Sequence, residues 1–210
     1  MSTALPDPGP RRFSARDLSL IAVFAAFVAA LGLPGAFYLP GMSVPITAQT
    51  LGVILAGCVI GPTRAAAAML VFLALVAAGL PLLAGGRGGL GVFTGPTAGY
   101  LFGWILGALV TGLVLVRQRR RPISPFWFFV AATAGTVAIY LVGVPVMAVN
   151  LDISFWKSFT LNFSFLPGDA AKIVVAAIVA GGVHRGYPGL LGRGRAVQTS
   201  PVSTSTSVPS

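Results

Sequence analysis

Long apolar runs, broken by short polar or basic stretches, set the pattern of this chain. A helix that crosses a bilayer needs about 20 apolar residues, within a range of about 17 to 25. Residues 18–38, 65–83, 97–116 and 126–149 reach that length. Residues 46–60 and about 169–183 form two shorter apolar runs. A short span implies either local thinning of the bilayer or burial inside a bundle. The pattern predicts an all-α integral membrane protein, with a six-helix membrane domain over residues 16–188. Residues 1–15 and 189–210 are expected to be disordered tails, because their Pro, Ser and Thr cannot bury enough apolar surface to order them.

Composition supports the membrane reading. Apolar residues make up 56% of the chain and charged residues only 9%. A soluble domain carries about 25% charged residues and uses them to solvate its surface. Residues 18–38 follow basic residues, as in a cleavable signal peptide, but the run is long enough to span and is read as a retained first helix. Cys58 is the single cysteine, which excludes an internal disulfide, and its apolar surroundings point to packing.

The net charge of +10 is distributed unevenly. With the N-terminus placed inside, Arg11, Arg12, Arg16, Arg64, Arg117, Arg119, Arg120, Arg121, Arg185, Arg193 and Arg195 all fall inside. Only Arg87 and Lys157 fall outside, and Lys172 lies within the last span. This is the asymmetry of the positive-inside rule for six spans with both termini cytoplasmic. Dropping either short span would spoil it. The basic residues flank apolar segments and form no face interleaved with exposed aromatics, so no nucleic-acid partner is expected.

Charges within a span cost at least about 2.5 kcal/mol each and need a reason. Asp169 and Lys172 open the sixth span after Pro167 and Gly168. Asp169 then sits in a first turn, where the helix dipole favours an anion, and Lys172 shares its face. The pair is a ligand site or a salt bridge that tolerates its own burial. The outer loop Gly85-Gly86-Arg87-Gly88-Gly89-Leu90-Gly91 can approach a ligand through its backbone, or it is a mobile surface loop. Thr47, Gln49 and Thr50 open the second span. Phe93, Tyr100, Phe155 and Trp156 form apolar walls of a cavity or belong to an interfacial aromatic belt. Ala22, Ala26 and Ala30, with Ala25 and Ala29 beside them, have small-xxx-small spacing, as do Gly99, Gly103 and Gly107. Such stripes serve internal packing or docking to another membrane protein.

Several chemistries are excluded. The Gly-x-Gly-x-x-Gly at residues 86–91 lacks the strand, helix and βαβ context of a dinucleotide site. There is no phosphate-binding P-loop, no metal-ligand cluster and no credible Ser–His–Asp arrangement. The chain is expected to be no enzyme and to hold no cofactor or metal.

The chain resembles the biotin-transporter family, the substrate-binding S components of energy-coupling-factor (ECF) vitamin transporters. The resemblance rests on Val44-Pro45-Ile46-Thr47-Ala48-Gln49-Thr50-Leu51-Gly52-Val53, on Gly79-Leu80-Pro81 through Ala84-Gly85-Gly86, and on Gly88-Gly89-Leu90-Gly91-Val92. It continues through Gly95-Pro96-Thr97-Ala98-Gly99-Tyr100-Leu101 and Pro167-Gly168-Asp169 with Lys172. It implies a six-helix bundle in the cell membrane that captures biotin from outside with high affinity. Arg87, Asp169 and Lys172 match polar positions tied to family function, and Gly86 and Gly88 lie beside the first of them. On this reading Asp169 accepts from the ureido N–H groups, Lys172 donates to the ureido carbonyl, and Arg87 meets the carboxylate or latches the loop. The reverse assignment of Lys172 and Arg87 stays open. The resemblance also implies that an alanine stripe on the first helix docks a transmembrane coupling subunit, with two ATPase subunits supplying the hydrolysis this chain lacks. The alternatives are the same fold serving another vitamin, a non-transport membrane assembly protein, or a membrane-embedded enzyme.

Overall fold

The computed structural model describes residues 13–37, 44–118, 123–187 and 190–191. Tyr38 and the basic residues Arg11, Arg12, Arg119, Arg120, Arg121, Arg193 and Arg195 lie outside the described residues, with most of both expected tails.

The helices are α1 (Ala15–Ala30), α2 (Gln49–Ile60), α3 (Pro62–Ala77), α4 (Ala98–Arg117), α5 (Pro125–Asn150), α6 (Phe155–Asn162) and α7 (Leu166–Gly186). A 3-10 turn, Phe163–Phe165, joins α6 to α7 into one continuous unit, so the described residues form six helical members. Among the described residues there is no β-sheet, only isolated bridges between Phe37 and Ile46 and between Leu83 and Arg87.

Local chemistry accounts for the ends. Ser14 caps α1 in a capping box with Asp17. Hydrogen bonds from the Ser14 backbone and hydroxyl, helped by Arg64, hold the Asp17 carboxyl below its ordinary range. Pro62, Pro125 and Pro167 stand in first turns, where the missing N–H has no helical partner to lose. The last helix therefore starts before Asp169, at Leu166, directly after the 3-10 turn Phe163–Phe165, and α6 before that turn is a helix that the apolar pattern did not reveal.

Of the two short spans, α7 proves to be 21 residues long. At 12 residues α2 is only about 18 Å long, too short for the hydrocarbon core. Its sides are nearly all buried against α1, α3, α4, α5 and α7. A helix apolar all round belongs in an interior, so burial, not bilayer thinning, accommodates it.

The longest seam joins α4 to α5. Gly99, Gly103 and Gly107 face it: a Cβ at Gly103 would lie 2.8 Å from the Ile139 carbonyl oxygen, and one at Gly99 2.8 Å from that of Val142. This glycine stripe serves internal packing. The alanines of α1 divide, with Ala25 buried, Ala29 half-buried, and Ala22, Ala26 and Ala30 exposed on the outer surface beside Val23 and Phe27.

One end of the bundle is fastened by polar contacts. Arg64 pairs with Asp17 at 2.6 Å and donates to the Leu190 carbonyl at 3.2 Å. His184 stacks on Phe128 and meets the Cys58 carbonyl at 2.8 Å. Leu190 and Leu191 lie within the segment expected to be a tail, yet Leu191 is buried. The opposite end holds the cavity.

Candidate functional site

The cavity is built by the segment before α2 and its first turn, the loop after α3, the adjoining parts of α4 and α5, and α7 with the 3-10 turn before it. It has a cavity volume of about 70 Å³ and opens at a mouth. Its walls are mostly apolar: Val44, Ile46, Leu83, Leu101, Ile139 and Phe165.

Thr47, Gln49, Arg87, Thr97 and Thr136 add polar groups to this frame, and one cluster carries a buried charged pair. The first turn of α7 aims Asp169 inward, and the residue is 9% exposed. Lys172, one turn on, donates to Asp169 Oδ1 at 3.0 Å and to Thr50 Oγ1 at 2.9 Å. The Tyr140 hydroxyl donates to Asp169 Oδ2. Each carboxylate oxygen thus receives one bond, and the ammonium has one N–H left after two are used. A buried pair held this way offers an acceptor and a donor side by side without exposing a bare charge to apolar surroundings.

The roof is a small hairpin in the loop after α3. Leu83 and Arg87 exchange backbone hydrogen bonds of 3.0 and 3.2 Å across a turn at Gly85 and Gly86. Both glycines have positive φ, +79° and +69°, which a side chain would strain. Arg87 Nε donates to the Ala84 carbonyl at 3.3 Å, and the residue lines the cavity. Its two terminal guanidinium nitrogens have no partner among the described residues.

A family model described as the BioY family matches residues 4–189. The chain belongs to the BioY family. It is 47% identical over 180 residues to the biotin transporter BioY of Rhizobium etli, covering 83% of this chain and 96% of that one. It is 44% identical over 189 residues to the biotin transporter BioY of Rhodobacter capsulatus, covering 85% and 99%. Among solved structures it resembles the S-component for biotin from an ECF-type ABC transporter, with TM-score 0.77 and 26% identity. That match covers 83% of this chain and 95% of the other. Membership places the chain among multi-pass proteins of the cell membrane that serve transport and not enzymatic catalysis.

Within the BioY fold the residues expected from sequence fall into distinct places. Arg87, Asp169, Lys172, Thr47, Gln49 and Tyr100 line the cavity. Gln49 does so with its amide already committed to backbone groups. Tyr100 is likewise engaged, donating to Asn162 Oδ1 at 2.6 Å. Phe93 stands outside the lining, its ring against Phe102. Trp156 is 71% exposed on α6 and packs edge-on within an outward aromatic group with Phe155 and Phe159. The wall expectation is therefore corrected for Phe155 and Trp156, because α6 turns its aromatic face away from the bundle, and for Phe93, because the 3-10 turn Leu90–Phe93 sets its ring against Phe102. Gly86 borders a second groove beside Ala29 and Ala30. Gly88 lets its backbone pass Leu80, where a Cβ would lie 2.2 Å from the carbonyl oxygen.

Two participants in this BioY cavity, Tyr140 and Trp104, were not singled out from sequence, and a third, Thr50, was not linked to the charged pair. Tyr140 and Thr50 complete the Asp169–Lys172 cluster. Trp104 lines the cavity with its Nε1–H buried and without an acceptor among the described residues. Tyr140 and Trp104 lie in uniformly apolar helices and carry no pattern of their own. Thr50 was visible as a polar residue opening α2, but nothing joined it to Lys172.

Proposed function

We propose that this protein is the biotin-binding S component of an ATP-driven vitamin uptake transporter, capturing biotin from the extracellular side with both termini cytoplasmic. The observation that carries the reading is the hydrogen-bonded Asp169–Lys172 pair set in a largely apolar cavity at one end of the bundle. Biotin needs both kinds of surface. Its ureido group presents two N–H donors and one carbonyl acceptor, its thioether ring is apolar, and its valerate chain ends in a carboxylate. Asp169 accepts from the ureido N–H groups, and Lys172 donates its remaining N–H to the carbonyl. Arg87 meets the carboxylate. The sidedness rests on the charge asymmetry, since Arg16, Arg64, Arg117 and Arg185 all lie toward the end away from the cavity.

Equilibrium binding of labelled biotin to the purified chain, with other vitamins as competitors, tests the reading. Saturable tight binding that only biotin displaces is expected. Tight binding of another vitamin with none of biotin would assign the same fold to a different substrate.

For partners, the reading adds a transmembrane coupling subunit and two ATPase subunits. The exposed stripe of Ala22, Ala26 and Ala30 suits close helix–helix docking, since small residues let backbones approach. Ala26→Phe is expected to leave biotin binding within about twofold, because α1 contributes nothing to the cavity lining. The same variant should abolish co-purification with the coupling subunit and ATP-dependent uptake. Retained uptake would remove α1 as the docking helix.

A further inference from the structure

Gln49 is 1% exposed at the first turn of α2. A buried amide must have its hydrogen bonds met, and this one meets them through three bonds to two separate pieces of chain. Its Nε2 donates to the Val28 carbonyl in the last turn of α1 at 3.1 Å. The same nitrogen donates to the Leu82 carbonyl at 3.0 Å. Its Oε1 accepts from the Ala84 N–H at 2.9 Å. Two of the three bonds reach the limb of the hairpin that carries Leu83 and Arg87 over the cavity. Elsewhere the hairpin is joined to itself, through the Leu83–Arg87 bridge and the Arg87–Ala84 bond. Behind it, the Gly89 N–H donates to the Val76 carbonyl at 2.8 Å. The packing around the amide is close, since a Cβ at Gly32 would meet the Leu82 carbonyl oxygen at 2.8 Å and Gln49 Nε2 at 3.0 Å.

We propose that Gln49 is a positioning residue for ligand retention: its amide clasps the roof hairpin to the ends of α1 and α2, and so holds Leu83 and Arg87 over the bound molecule. The inference rests on the biotin-binding reading and adds a residue that acts through the roof. Without the clasp, the Leu82 carbonyl and Ala84 N–H are left buried and unpaired, and they regain partners only by swinging the hairpin outward to water. The cavity floor, with Asp169, Lys172 and Tyr140, keeps its own bonds. The ligand then escapes faster while its polar contacts below stay intact.

The test compares wild type, Gln49→Met and Gln49→Glu in the full chain. Methionine keeps the volume and removes all three bonds. A protonated carboxyl at this position keeps one donor and one acceptor, so Gln49→Glu should rescue part of the effect. Gln49→Met is expected to raise the biotin dissociation rate about tenfold. In ligand-free protein, amide exchange should speed up by about tenfold over residues 82–89 and stay unchanged in α4 and α5. A biotin dissociation rate that stays at the wild-type value in folded Gln49→Met overturns the clasp. Exchange that rises across the whole bundle, with no excess at residues 82–89, also overturns it by making the role one of general stability. Wild-type protein that binds no biotin would sink the biotin reading, and the exchange pattern of ligand-free protein would still decide whether Gln49 holds the roof.

Discussion

Asp169→Asn and Lys172→Met, made singly, are each expected to weaken biotin binding by at least about a hundredfold, the loss of one or two charge-assisted hydrogen bonds. Each should also lower the stability of the empty protein by about 3 kcal/mol, because removing one partner strands the other charge in a poorly solvated place. In Asp169→Asn a neutral amide would leave the Lys172 ammonium with no counter-charge. In Lys172→Met the Asp169 carboxylate would keep only the Tyr140 donor. The double variant separates function from structure. With both charges gone no buried ion is stranded, and replacing a buried pair by neutral groups is often neutral for stability. The double variant should therefore recover most of the thermal stability lost by the singles and recover none of the binding. Labelled-biotin binding and detergent-solubilised thermal unfolding on the same samples check both halves. If the double variant regains biotin affinity together with stability, the pair is a structural salt bridge and the cavity recognises its ligand by other means.

The second large effect falls on the fold. Gly103→Leu is expected to cost about 3 kcal/mol or more and to remove most of the monodisperse protein recovered in detergent. The added Cβ meets the Ile139 carbonyl oxygen at 2.8 Å and the Ile139 Cα at 3.1 Å. Those are backbone atoms of α5, so no rotamer change relieves them and the helices must separate. The α4–α5 seam sets the distance between Tyr100 and Trp104 on one side of the cavity and Ile139 and Tyr140 on the other, and biotin binding should be lost with it. Leu141→Ala, on the outward face of α5, is the control, expected within about 0.5 kcal/mol of wild type. Wild-type stability in Gly103→Leu would mean that the seam is looser than the contact distances indicate.

The Asp169–Lys172 cluster shows how far sequence carries. Both residues were legible because the reasoning needed was local. Charges stand out in an apolar run, and a spacing of three places them on one helix face. Tyr140 and Thr50 were not joined to them because their relation to α7 is not local. Gln49 was legible as a polar residue at the mouth, but not as a clasp. Its partners Val28, Leu82 and Ala84 contribute only backbone groups, which every residue has. Trp156 misled for the opposite reason: a large aromatic near the outer end fits a pocket wall and a lipid-facing belt equally well.

The number of helical members, the position of the charged pair and the membership of the chain followed from sequence alone, because hydrophobic length and motif strings lie in one dimension. The rotation of each helix about its axis was decided only in three dimensions. Rotation turned Ala22, Ala26 and Ala30 outward, Gly99, Gly103 and Gly107 into the seam, and the α6 aromatics away from the cavity. In water an amphipathic stripe marks the inner face of a helix, whereas in lipid both faces are apolar and the stripe fades. Only the packing of one helix against the next then selects which side chains meet.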